Sequence, residues 1–219
     1  YKLGNGLAIK CTKPVMDYDI KFDDKRGVSI DVQYKALMEP YDIHDPDQDP
    51  LAASADDHVS ATAYAGHWDQ TGRITGKFTI DGKTYDIDCV SSMDHSWGER
   101  KEDQFQNFCW LNANFENDVS IHCLWAINPE DINDYSAIIH GYVREGNQVY
   151  GLTKGSGKLR RNGNLHQHMA LQVEDKRGKV HKFNGTAFTS NPWQPWPFVY
   201  ATQSFLRWDM NGVVGWGEV

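Results

Sequence analysis

Apolar and polar residues alternate with period two along most of this chain, and turn dipeptides punctuate the alternation. Val28, Ile30, Val32 and Tyr34 interleave with Ser29, Asp31 and Gln33, the pattern of a strand with one buried face. Phe78 and Ile80 lead into Asp81-Gly82, after which Tyr85, Ile87 and Cys89 alternate with Thr84, Asp86 and Asp88. Val119, Ile121, Cys123 and Trp125 share one face of a further strand. Asp-Gly and Asn-Gly tolerate the positive φ that a two-residue hairpin needs, so Asp81-Gly82 and Asn211-Gly212 are expected to close hairpins. Asp24 to Gly27, Gly146-Asn147, Asn162-Gly163 and Asp175 to Gly178 read as further turns. An all-β, antiparallel fold follows. Serial hairpins escape open edges by closing into barrels or stacking as sandwiches, and the tryptophans suit a barrel with a lined cavity. One short helix is allowed, in the Ala-containing stretch from Pro50 to Tyr64.

Charge narrows the function classes. With 22 Lys and Arg against 30 Asp and Glu, the net charge is -8, which argues against a surface that tracks nucleic-acid phosphates. No apolar run reaches the length of about 20 residues that a membrane helix needs, so no membrane span is expected. Cys11, Cys89, Cys109 and Cys123 form no C-x-x-C pair and read as free thiols, mostly buried, which favours a reducing compartment such as the cytoplasm. The chain opens on Tyr1 rather than Met, so a targeting segment is not legible.

Several motifs yield to bland readings. Glu39 to Asp57 is rich in Asp and Pro and reads as a long acidic loop; Asp45, Asp47 and Asp49 alternate as calcium ligands do, but Pro50 stands where a calcium loop needs Gly, so a solvated loop is expected. His166 and His168 would share a strand face, as zinc ligands must, but lie beside a turn, and no metal is expected. His122 and His140 sit in strands whose imidazoles could converge in a barrel. Gly155-Ser156-Gly157 lacks the strand-to-helix context of a nucleotide loop. Trp193 and Trp196, in a rigid Pro-rich stretch, read as structural anchors.

The most informative stretch runs from Gly66-His67-Trp68-Asp69-Gln70 to Asp94-His95-Ser96-Trp97-Gly98-Glu99-Arg100. The Asp-His-Ser-Trp-Gly-x-Arg segment, the Gly-containing hairpin before it and the His-x-x-Gln segment resemble the carotenoid 1,2-hydratase and AttH-like superfamily, closest to a bacterial branch of it. The resemblance implies two lipocalin-like β-barrels in tandem, with residues 1–90 part of a first barrel whose N-terminal portion is missing and 91–219 a second barrel. It also implies that Asp94 is the acid that protonates a double bond, without a cofactor. A carboxylic acid doing so must stay neutral near pH 7, which desolvation among apolar groups favours. His95 and His67 would relay or orient the proton. Trp97, Trp110 and Trp125 would shape the cavity, the faces of Trp97 and Trp110 stabilising a developing cation, with Arg100 also on the substrate. The expected function is that of a lyase or isomerase (hydratase, dehydratase or acid-assisted cyclase) acting on a hydrophobic unsaturated or aromatic small molecule; the alternative is a non-catalytic lipocalin-like binder. Asp94 as a turn anchor and His67 as a structural histidine are the competing residue-level readings.

Overall fold

The computed structural model describes residues 1–52, 65–99, 107–197 and 199–219, with the Trp196 side chain left aside. Within them the fold is all-β with essentially no helix. The helix expected at 50–64 falls almost wholly outside the described residues. Among the described residues no helix is long and apolar enough to cross a membrane. The chain forms two compact units, one of residues Tyr1–Pro40 and Asp69–Asp94, the other of Tyr41–Trp68 and His95–Val219.

The first unit is an antiparallel sheet. Its strands β1 (Ala8–Lys13), β2 (Asp17–Asp23) and β3 (Val28–Ala36) pair in sequence, and β3 pairs with β5 (Gly66–Ile80), whose hairpin partner is β6 (Lys83–Trp97). Asp81 and Gly82 both have positive φ, 49° and 74°, so the expected tight hairpin is present. The period-two pattern does its work in β3: Val32 and Tyr34 are buried, and the Tyr34 hydroxyl donates to the Gln70 carbonyl at 3.1 Å.

The second unit is a closed antiparallel barrel of eight strands. They are β7 (Phe108–Phe115), β8 (Val119–Ala126), β10 (Ala137–Glu145), β11 (Gln148–Asn162), β12 (Leu165–Asp175), β13 (Val180–Trp196), β14 (Val199–Met210) and β15 (Val213–Glu218). The order β10-β8-β7-β15-β14-β13-β12-β11 returns to β10 through a β10–β11 pairing; the two-residue strand β9 (Asp134–Tyr135) adds to β11, and the two-residue strand β4 (Tyr41–Asp42) pairs with β5. Asn211 and Gly212, again both at positive φ, close the β14–β15 hairpin.

Alternation aims Leu111, Cys123, Trp125, Leu152, Met169, Val173, Phe183, Leu206 and Trp208 inward, where all are buried in one apolar cluster. Trp125 meets Tyr135 edge-on at 5.9 Å, and Phe183 lies 5.4 Å from Trp208. These rings pack against one another inside the barrel. Gly155 and Gly157 have no part in nucleotide binding: on the inner side of β11, a Cβ at Gly155 would fall 2.5 Å from Trp125 and one at Gly157 would fall 2.2 Å from Leu171. All four cysteines are free, but only Cys109 and Cys123 are buried; Cys11 and Cys89 are exposed.

Candidate functional site

The Asp-His-Ser-Trp-Gly segment ends β6. His95 stacks on Trp68 at 5.4 Å and lies 5.4 Å from Trp97, tilted to it. The Trp97 indole rests on Gly66, where a Cβ would approach it to 2.3 Å. The two halves of the motif, Gly66-His67-Trp68 and His95-Ser96-Trp97, thus fit together as an aromatic ladder. Asp94, His95 and Trp97 are all exposed, Trp97 by 48%. Among the described residues the enclosure expected around the Asp94 carboxyl is absent, and that carboxyl makes no hydrogen bond, so it anchors no turn among them. Arg100 lies outside the described residues.

The three tryptophans expected in one cavity occupy three surfaces. Cys109 is paired with Trp125 and Trp110 with Leu124, so Trp125 points into the barrel and Trp110 out of it. Trp110 is half-buried against the outer cluster Ile43, Leu124 and Ile139, while Trp97 is on the separate ladder.

His122 and His140, the strand imidazoles expected to converge in a barrel, do come together, but on the outer wall of β8 and β10. His122 and Tyr142 are cross-strand partners there. His140 would point inward by simple alternation with Ile138, but a bulge at Ile139 resets the phase: Ile138 pairs with Trp125 and His140 with Leu124, and the imidazole emerges on the outer face beside His122. The ring centroids of His122 and His140 are 5.6 Å apart, that of His67 is 6.4 Å from His140, and Trp110 stands 5.1 Å from His122. His67, His122 and His140 are buried.

Residues 41–52 cover this wall. Tyr41 packs 5.3 Å from His140 and 5.0 Å from Tyr142, and its hydroxyl donates to the Gln48 carbonyl at 2.8 Å. Burial pushes the Tyr41 phenol well above its ordinary range. The acidic loop turns back on itself, with the Asp45 side chain accepting from the Asp47 amide at 2.9 Å and the Asp45 carbonyl from the Asp49 amide at 2.8 Å. That turn directs Asp49 inward. Its Oδ1 accepts from the Leu51 amide at 2.9 Å, and its Oδ2 accepts the Nδ1 proton of His140 in a short bond between two side chains with no exposure. Asp49, read from sequence as a solvated member of Asp45-x-Asp47-x-Asp49, is thus the buried orienter of a histidine. An imidazole held this way has one tautomer, with Nε2 as the atom that exchanges a proton or binds a metal.

The zinc pair considered from sequence is divided. Arg160 pairs with His168 but Arg161 with His166, so Gln167 is an extra residue in β12 and the two imidazoles point to opposite faces. His166 is buried and bonded through Nδ1 to the Ser204 hydroxyl at 2.9 Å; His168 is outside, near Thr186 at 3.3 Å.

Strand order and barrel closure define a protein of lipocalin-like β-barrel fold. Residues 1–219 match the family described as Domain of unknown function (DUF7064), and the chain belongs to that family. No curated protein matches it in sequence. Among solved structures, an AttH candidate from Nitrosomonas europaea is similar with a TM-score of 0.59 at 9% identity, over 97% of this chain and 67% of that one. CghA is similar with a TM-score of 0.56 at 12% identity, and CghA with Sch210972 with 0.54 at 13%, each over 92% of this chain and 63% of the other. The chain spans roughly two thirds of the length of these structures, and at such identities the likeness is one of fold.

Proposed function

We propose that the chain performs general acid–base chemistry on a hydrophobic, unsaturated or aromatic small molecule, as a hydratase, dehydratase, isomerase or acid-assisted cyclase. The observation that carries this reading is the buried Asp49–His140 pair. A proton-transfer group must be held in one orientation and one tautomer, and Asp49, itself fixed by the Leu51 amide, imposes both on His140. His67 stands beside it as a second imidazole. Trp110, Leu124, Ile43 and Ile139 give the apolar wall that such a substrate needs. On this reading His140 takes the principal role expected of Asp94, while Asp94 and His95 form a secondary, solvent-facing acid–base set. The presence of Sch210972 with CghA supports a small-molecule ligand for this fold.

A non-catalytic binder of a hydrophobic ligand is the second reading. It is favoured by the complete burial of the pair, which a purely structural carboxylate–imidazole contact would share.

The test is turnover in deuterated water by the whole chain, followed by mass spectrometry against a panel of linear polyenes, cyclic terpenes and aromatic alkenes. The acid–base reading expects deuterium in a product, and a fall of about 10²-fold or more in His140→Gln with the melting temperature near that of the unaltered protein. Binding without turnover establishes the binder, and undiminished turnover in His140→Gln removes the pair from the chemistry. Loss of turnover with a chelator and its return with zinc would assign the imidazoles to a metal instead. Asp94→Asn in the same assay shows whether the exposed carboxyl contributes.

A further inference from the structure

One end of the barrel interior is polar where the rest is apolar. The start of β7, the end of β11, the start of β12 and the β13–β14 pair meet there, bringing Cys109, Arg161, His166, Ser190 and Ser204 together with Tyr135 of β9. Cross-strand pairing sets Arg161 against His166. The His166 ring bonds to Ser204, whose hydroxyl lies 2.7 Å from that of Ser190.

Arg161 is the anomaly in this group. Among the described arginines only Arg144 and Arg161 are not exposed. Arg144 has its counter-ion, donating to Asp118 at 2.6 Å. Arg161 has none among the described residues: its two contacts are long, to the Tyr135 hydroxyl and the Asn164 carbonyl, each at 3.4 Å, and its Nε is buried without a partner. Asp134, adjacent in sequence to Tyr135, is engaged by Lys158 at 2.8 Å. The described neighbours supply no negative charge either. Burial pushes the Cys109 thiol up to about 12, and burial together with the guanidinium pushes His166 down to about 4, so both are neutral at pH 7. A partly desolvated guanidinium offers a planar fork of donors matched to a carboxylate, and leaving it unmatched is costly.

We propose that this end of the barrel binds the carboxylate of a small hydrophobic acid, with Arg161 as its counter-ion. A single guanidinium balances a monoanion, whereas a phosphate dianion calls for more positive charge than the surroundings hold. The interior beneath is occupied by Tyr135, Trp125 and Leu159, so the carboxylate enters end-on and the apolar body stays at the rim. Ile132, 40% exposed, is presented there by the loop whose Asn133 carbonyl accepts from the Leu159 amide at 2.9 Å. This goes beyond the acid–base reading and shares no residue with it, so either can fail alone.

Titration of the whole chain with decanoate, decanol and inorganic phosphate, by calorimetry, tests the assignment. Decanoate should bind at least tenfold more tightly than decanol, phosphate should not compete, and Arg161→Gln should weaken decanoate at least tenfold with Arg161→Lys recovering part of the loss. In the unaltered protein, decanoate and not decanol should shift the Arg161 Nε–H resonance, a readout that stands even where Arg161→Gln folds poorly. Absence of decanoate binding, equal affinity for decanol, displacement of decanoate by phosphate, or an unmoved Nε–H resonance overturns the proposal.

Discussion

Burial and the nearby Arg161 guanidinium push the His166 imidazole down to about 4, from an ordinary 6.5. The unfolded chain therefore binds a proton between those values that the folded chain refuses. Because the unfolded state holds more protons in that window, stability falls as pH is lowered through it, by up to about 3 kcal/mol, and this contribution flattens below pH 4. Comparing the urea midpoints of the unaltered protein and His166→Asn between pH 7 and 4 should show the unaltered protein losing more, the difference being this residue's share; parallel curves would mean that His166 is charged in the fold. Asp175 acts in a separate window. Its burial raises the carboxyl pKa, but hydrogen bonds from Arg177 and His181 outweigh that and hold it well below the usual carboxylate range. The stability it adds is present above pH 3.8 and is lost on further acidification, so the two groups are distinguishable in one titration.

At the scale of the element, inner-face glycines in β11 set how closely the wall approaches the interior rings. Gly155→Ala should overpack Trp125 and cost about 1–3 kcal/mol, read as a lower urea midpoint. Gly4→Ala, where an added Cβ meets nothing within 4 Å, should change little in the same assay. Alternation made the strands and the Asp81-Gly82 and Asn211-Gly212 hairpins legible, because side-chain direction and turn dihedrals are local properties. It misplaced what lies beyond a bulge. Ile139 and Gln167 each add one residue, and each sends a histidine to the face opposite the one that simple counting assigns. Nothing in the local pattern signals such an insertion, since it is decided by the partner strand. Asp49 was illegible for a related reason. Its neighbours in sequence are Asp, Pro and Gln, which suggest water, while the group that buries it, His140, is 91 residues away. Trp97 reversed the error: expected to line a cavity, it lies exposed at a strand end upon a glycine.

For the barrel as a whole, closure depends on how β10 meets β11. Only four residue pairs make that seam, from Tyr142 with Gly151 to Glu145 with Gln148, next to their own hairpin. Arg144 braces it, donating to Asp118 and to the Gly146 carbonyl, both at 2.6 Å. The β7–β15 junction, between strands far apart in sequence, is equally short with four pairs, and failure at either junction turns the cylinder back into a curled ribbon. Glu145 and Gln148 flank the two-residue turn as a hydrogen-bonded pair, so by alternation Tyr150, opposite Val143, also donates across the seam; Tyr150→Pro removes that donor and opposes re-pairing. Light scattering of that variant should reveal oligomers that the unaltered protein does not form at the same concentration, and an unchanged mass would mean that the seam tolerates a missing bond. A cylinder has no ends around its circumference, so one failed seam exposes two strands at once, each with a full row of unmet amides and carbonyls. The nearest complement to each is the matching strand of another copy. The contact that isolates a single barrel is, once broken, the one along which barrels would exchange strands.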